Sequence, residues 1–375
     1  MKSYFKALAT LCASSTALHA GGWETGTLPT AMMYEDGNYA ELSYGSLTYN
    51  LDGVASWIVT SSGATHTAGV EHKMAKNQTR TSFATKFSLG QYEVGISNFD
   101  NGAIKLDGTN STVKSKTASA DINLRTTAIQ VNRSLDNGVT LGIGARQSDL
   151  GSGTVSTLAG VTYNIDGASS SSLIATAAYE IPDIALRAEL VYEGSTKIKF
   201  DHTLNPTVSG ATANGGELGI PQATTLNFQT GIAKDTLLFG KIRNVAWGSS
   251  QVFAKTSVSA LDITSEFENT TSYNLGVGRK FSETLSASLS YTQEDGSGST
   301  STSGFTLTNG YNAIGLGLKY TMDNINVSLG YSYIMPGDVT VTHENTSGAA
   351  NGLTFKTVYE NSTIQATGVR IGVAF

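Results

Sequence analysis

Apolar and small or polar residues alternate with a period of two through most of the chain. In 313–320 the even positions are Ile, Leu, Leu and Tyr and the odd ones Ala, Gly, Gly and Lys, so a strand there has one greasy face and one small or charged face. The same dyad recurs in 139–146, 285–292 and 325–333. It predicts fourteen strands, at 39–51, 79–88, 91–99, 118–133, 138–148, 171–180, 184–197, 222–233, 236–247, 271–281, 284–294, 311–321, 324–334 and 363–375. A soluble sandwich also alternates, and the connections separate the two cases. They are long after the first strand, short after the second, and alternate in this way to the end. Leu89-Gly90, Lys234-Asp235 and Met322-Asp323-Asn324 have hairpin chemistry, whereas 198–221, 248–270 and 335–362 are rich in Gly, Ser, Thr and Asn. Short turns on one side, long loops on the other and an even strand number predict an all-β, transmembrane antiparallel β-barrel. Pro29, Pro182, Pro206, Pro221 and Pro336 all fall outside strand interiors, where a missing N–H costs no ladder bond.

Composition narrows the class. The 375 residues are 39% apolar and 14% charged, and beyond the N-terminus no stretch reaches the roughly 18 apolar residues of a spanning helix. A formal net charge of -6 disfavours nucleic acid as a partner, because phosphate binding needs a basic field. Residues 1–20 read as a signal peptide: Lys2 and Lys6 precede a short, mostly apolar or small stretch that ends at Ala20. Cleavage there removes Cys12, the single cysteine, so an exported chain without disulfides must rely on backbone pairing or a large core. Residues 21–37 then form a short N-terminal plug segment, with Trp23, Leu28, Met32, Met33 and Tyr34 as its apolar side chains, and 38–375 form the barrel.

Several catalytic signatures fail. The Gly-x-Gly pairs at 142, 276 and 315 do not open helices, so they cannot aim backbone N–H groups at a phosphate. Asp100-Asn101-Gly102, Asp107-Gly108 and Asp295-Gly296 lack the carboxylate spacing of a calcium loop and read as turns. His66, His72, His202 and His343 fall in predicted external loops, which leaves no strand-borne base for a serine hydrolase. Neither an enzyme nor a metal or other cofactor is predicted.

If apolar residues face lipid, the dyad points Glu41, Lys86, Glu93, Arg146, Arg187, Glu189, Glu193, Lys241, Arg243, Lys319 and Arg370 into the lumen. Seven of the eleven are basic in an acidic chain, which leaves two readings open. The charges either pair with one another and stiffen the interior, or they form a basic lumen that attracts a substrate carboxylate. Arg125 and Arg133 share parity with Ile129 and Val131 and are expected at the two membrane interfaces.

The last ten residues alternate to a lipid-facing Phe375, which resembles the signal read by the barrel insertion machinery. Three stretches extend the likeness: Ala185–Tyr192 after a Tyr-Glu-Ile-Pro turn, Ile220–Thr224, and Asn274–Gly278 followed by Phe281–Leu285. In them, and in strand number, the chain resembles the outer-membrane transporters of long-chain fatty acids and other hydrophobic compounds, the FadL/TodX type. The resemblance implies a monomer in the bacterial outer membrane, surrounded by lipid and lipopolysaccharide and carrying a fatty-acid-like substrate. It also implies an N-terminal hatch and lateral release at a kinked third strand, where Gly95 is the expected break. The hatch here is abbreviated, and Asn38-Tyr39-Ala40 stands where that family carries Asn-Pro-Ala. Two alternatives are a hydrophilic diffusion porin, and a surface adhesin or phage receptor that uses the barrel as an anchor.

Overall fold

The structure is a computed structural model, described at residues 22–59, 62–71, 74–107, 119–156, 161–205, 211–259, 262–296, 298, 300–302, 308–345 and 353–375. The expected signal peptide with Cys12, and His72, lie outside the described residues. Fourteen antiparallel strands close into a barrel. In chain order they are β1 (Tyr39–Asn50), β2 (Gln78–Leu89), β3 (Tyr92–Leu106), β4 (Ser119–Ser134), β5 (Val139–Leu150), β6 (Ala168–Ile181) and β7 (Leu186–Glu193). They continue as β8 (Ala223–Ala233), β9 (Thr236–Val245), β10 (Thr270–Lys280), β11 (Leu285–Glu294), β12 (Tyr311–Met322), β13 (Ile325–Pro336) and β14 (Thr363–Ala374). Each strand pairs with its neighbours in sequence, and β1 closes on β14 from Tyr39↔Ala374 to Asn50↔Thr363. Among the described residues the ring of pairings thus has no terminal strand. The short links turn as their residues allow, with positive φ at Gly90, Asp235 and Asp323. Among the described residues no helix is long and apolar enough to cross a membrane.

The dyad inverts along the strands. Near the short turns the outward residues are apolar, as in Leu42 of β1 and Ile143 of β5, 62% and 65% exposed, while Glu41 beside Leu42 is buried inside. Toward the long connections the outward residues of β1 become Ser46, Thr48 and Asn50, and the inward ones become Leu47, Tyr49 and Leu51. Ile104 and Leu106 of β3, Ile122 and Leu124 of β4 and Ile364 of β14 do the same, and all join one buried cluster. A wall bathed in lipid needs an apolar outside; the part standing above the lipid needs an apolar inside. Tyr44, Tyr192, Tyr273 and Tyr291 lie outward near the crossover, as an aromatic girdle does.

The long connections are not irregular loops, as their composition suggested. Thr196–Phe200, Ala213–Ile220, Val252–Thr256 and Ile263–Thr264 form a four-stranded sheet. Gly53–Val59, Ala64–Glu71, Thr300–Ser301, Val339–Asn345 and Leu353–Tyr359 form a five-stranded one. Thr, Val and Ile at alternate positions suit a pleated, half-buried surface once a partner strand lies alongside. His66 and His343 therefore stand in strands, and His202 opens a further short strand, His202–Asn205, paired with Thr162–Ile165, where it is buried beside Tyr163 and Phe200.

Candidate functional site

The N-terminal segment lies inside the barrel. Trp23, Met32, Met33 and Tyr34 are buried, with the last three on a short 3-10 helix, Thr30–Tyr34; Leu28 is half-buried. Charges at the lumen's turn half hold it. Arg243 grips Glu24 with two hydrogen bonds, Nε–Oε2 at 3.0 Å and Nη2–Oε1 at 2.6 Å. Its Nη1 donates to Glu193 at 2.7 Å and to Thr225 at 2.8 Å, and Arg146 reaches the other oxygen of Glu193 at 2.6 Å. Glu189 accepts from Thr30, Tyr34 and Asn227, each at 2.9 Å, while Arg187 lies 4.1 Å over the Tyr34 ring. Lys86 donates to the Glu35 carbonyl and pairs with Glu93 at 3.1 Å, and Arg370 pairs with Glu41 at 3.7 Å. All eleven inward charges thus face the interior, most of them against one another or the segment. Lys241 lines the cavity described below, and Lys319 is within electrostatic reach of Glu35 and Glu41. Arg187 Nη1 has no hydrogen-bond partner among the described residues.

Gly95 is not a kink. Its strand pairs without a break on both sides, Lys86↔Gly95 and Gly95↔Gln130. The missing side chain makes room for the plug: a Cβ there would strike the Met33 sulfur and come within 2.9 Å of Met32 Cε. The irregularity in β3 lies instead between Asp100 and Gly102, where its register with β4 shifts. Asp100-Asn101-Gly102 is therefore a bulge within a strand and not a turn.

At this bulge the wall opens. β2 and β3 pair from Leu89↔Tyr92 to Ser82↔Phe99, and pairing resumes above, where Lys76 N donates to Lys105 O at 3.1 Å. Between these points 77–81 and 100–104 form no ladder with each other. The N-terminal segment fills the inner side of this window. Thr25 N and Gly26 N donate to Asn101 O at 2.8 and 3.1 Å, Ala103 N donates to Trp23 O at 3.1 Å, and Arg80 from the β2 side donates to Thr25 O. On the outer side Thr81 N donates to Asp100 Oδ2 at 2.7 Å. A cavity of about 190 Å³ runs from Leu28, Arg187 and Lys241 in the lumen to Thr81 and Asp100 at the lower lip of the window.

Sequence reasoning missed Glu24, Arg80 and the link that Arg125, expected at an interface, makes with Asp100 and Thr81. Glu24 had a visible signal, a lone carboxylate between Trp23 and Leu28 in an otherwise apolar and small stretch.

No protein-family model and no curated protein matches the sequence. Solved structures do match in fold. A FadL homologue from Pseudomonas aeruginosa superposes with a TM-score of 0.75 at 13% identity, over 100% of this chain and 98% of that one. The toluene transporter TodX of Pseudomonas putida gives 0.61 at 12% identity, over 98% and 97%. The toluene transporter TbuX of Ralstonia pickettii gives 0.56 at 11%, over 96% and 99%. The chain shares its fold with these proteins across its length.

Proposed function

We propose that this barrel is an outer-membrane uptake channel for hydrophobic compounds, long-chain fatty acids among them, which leave the lumen sideways between β2 and β3. The reading rests above all on the cavity that joins the lumen to the lower lip of the window. A greasy solute crossing an outer membrane gains by entering lipid directly instead of water below it. The apolar interior of the loop half, one buried cluster, suits such a solute. The solved structures named above are of hydrocarbon transporters and a FadL homologue, which fits the same substrate class. The lateral route shifts from Gly95 to the Asp100–Gly102 bulge. For a carboxylate-bearing substrate the attraction falls to Arg187, whose Nη1 has no hydrogen-bond partner among the described residues, because the donors of Arg243 are engaged by Glu24, Glu193 and Thr225. Cells with and without the gene, given labelled oleate and labelled toluene, test the reading. Uptake of either compound raised by the gene supports it; equal uptake in cells with and without the gene, or a gain confined to small sugars supplied in parallel, contradicts it.

A further inference from the structure

The lower lip of the window carries charge on the lipid side of the wall. Asp100 Oδ2 accepts from Thr81 N at 2.7 Å and from Thr81 Oγ1 at 3.1 Å. Arg125, directly opposite on β4, binds Asp100, and its Nη1 reaches across β3 to donate to Thr81 Oγ1 at 3.2 Å. Its Nε donates to Asn98, which in turn donates to Thr127. Just below, the outward residues are Phe83, Ile96 and Ile129, 41%, 38% and 51% exposed, and Thr81 is paired with Tyr44 of the girdle. An ion pair at the edge of hydrocarbon is a costly way to close a ladder that a backbone carbonyl closes without charge. The register does not prevent the cheaper solution. Thr81 and Asp100 stand opposite one another in the same frame as Ser82↔Phe99 below and Ala75↔Leu106 above. The side chain differs from a backbone bond in one respect: it releases by rotation about its own torsions, whereas a ladder bond breaks only when a strand moves.

Resting on the lateral route proposed above, we propose that Asp100 is the latch of the window. Held by Arg125, it binds the freed Thr81 N–H and keeps β2 and β3 together at the lip. When it rotates away, the lip widens toward lipid. Asp100 and Arg125 are positioning residues that set the rate of release and the girth of solute released.

Nitroxides placed at Thr79→Cys and Ala103→Cys, one on each side of the window, read its width in the full chain reconstituted in lipid vesicles. Asp100→Ala lengthens and broadens the label-to-label distance, and Asp100→Asn, which still accepts from Thr81, changes it less. Transfer of pyrene, a broad hydrocarbon, rises in Asp100→Ala by about tenfold relative to hexadecane, the consequence of losing one charge-assisted hydrogen bond. An unchanged distance in Asp100→Ala overturns the latch. A widened window with both transfer rates unchanged overturns the lateral route, and the latch's part in transport falls with it.

Discussion

At the scale of single residues, Arg243, Glu24, Glu193 and Arg146 form a fully buried chain of two guanidiniums and two carboxylates. Removing one member leaves a buried charge without its partner, at a cost of about 3–5 kcal/mol. Glu24→Ala should therefore loosen the N-terminal segment and admit small hydrophilic solutes, measured as conductance in a planar bilayer; an unchanged conductance would show that the segment is held by something else. Gly95→Val should act in the same direction, because its methyls meet Met33 and Met32 and push the plug off its seat. Arg187→Gln should weaken uptake of oleate more than of an uncharged hydrocarbon, and equal loss would mean that Arg187 only supports Tyr34. The inward parity of these charges was legible in the sequence. Their partners were not, because Glu24 and Arg243 are separated by 219 positions and meet only once the segment is threaded through a closed barrel.

At the scale of elements, the fourteen wall strands were legible because lipid enforces the dyad and hairpin chemistry marks the turns. β3 ran past its predicted end at Phe99, since Asp100-Asn101-Gly102 carries the composition of a turn and only pairing with β4 shows that it is a bulge. The strands beyond the membrane were hidden for a related reason: Gly, Ser and Thr-rich stretches become strands when they find each other, a tertiary effect. His202 belongs to this outer layer, and burial there pushes its imidazole below the usual value, with the Lys255 backbone and the Asp201 charge only partly offsetting the effect. The unfolded chain then takes the proton first, so this layer should lose stability as pH falls below about 6.5 and be insensitive to pH above it. Protease cleavage within 196–205, followed across pH 5 to 8, should show that onset, and His202→Phe should abolish it. Cleavage with the same pH dependence in both proteins would place the sensitive group elsewhere.

At the scale of the whole molecule, the inverted dyad divides the barrel into a lipid-embedded half with a charged, plugged lumen and a protruding half with a soluble-like core. The inversion was present in Leu47, Tyr49 and Leu51, but a parity argument applied to whole strands assigns one face to lipid throughout and so overlooks it. The two halves meet at the window between β2 and β3; under the proposed function a solute gathered in the apolar upper part faces the N-terminal segment below it and lipid beside it. The central claim is that it turns sideways there. A bridge across the window tests this most directly: Thr79→Cys and Ala103→Cys joined by a short bismaleimide, in cells that take up labelled oleate or toluene through the unmodified protein. Uptake should fall on bridging to the level of cells without the gene. Uptake undiminished by the bridge would contradict lateral release.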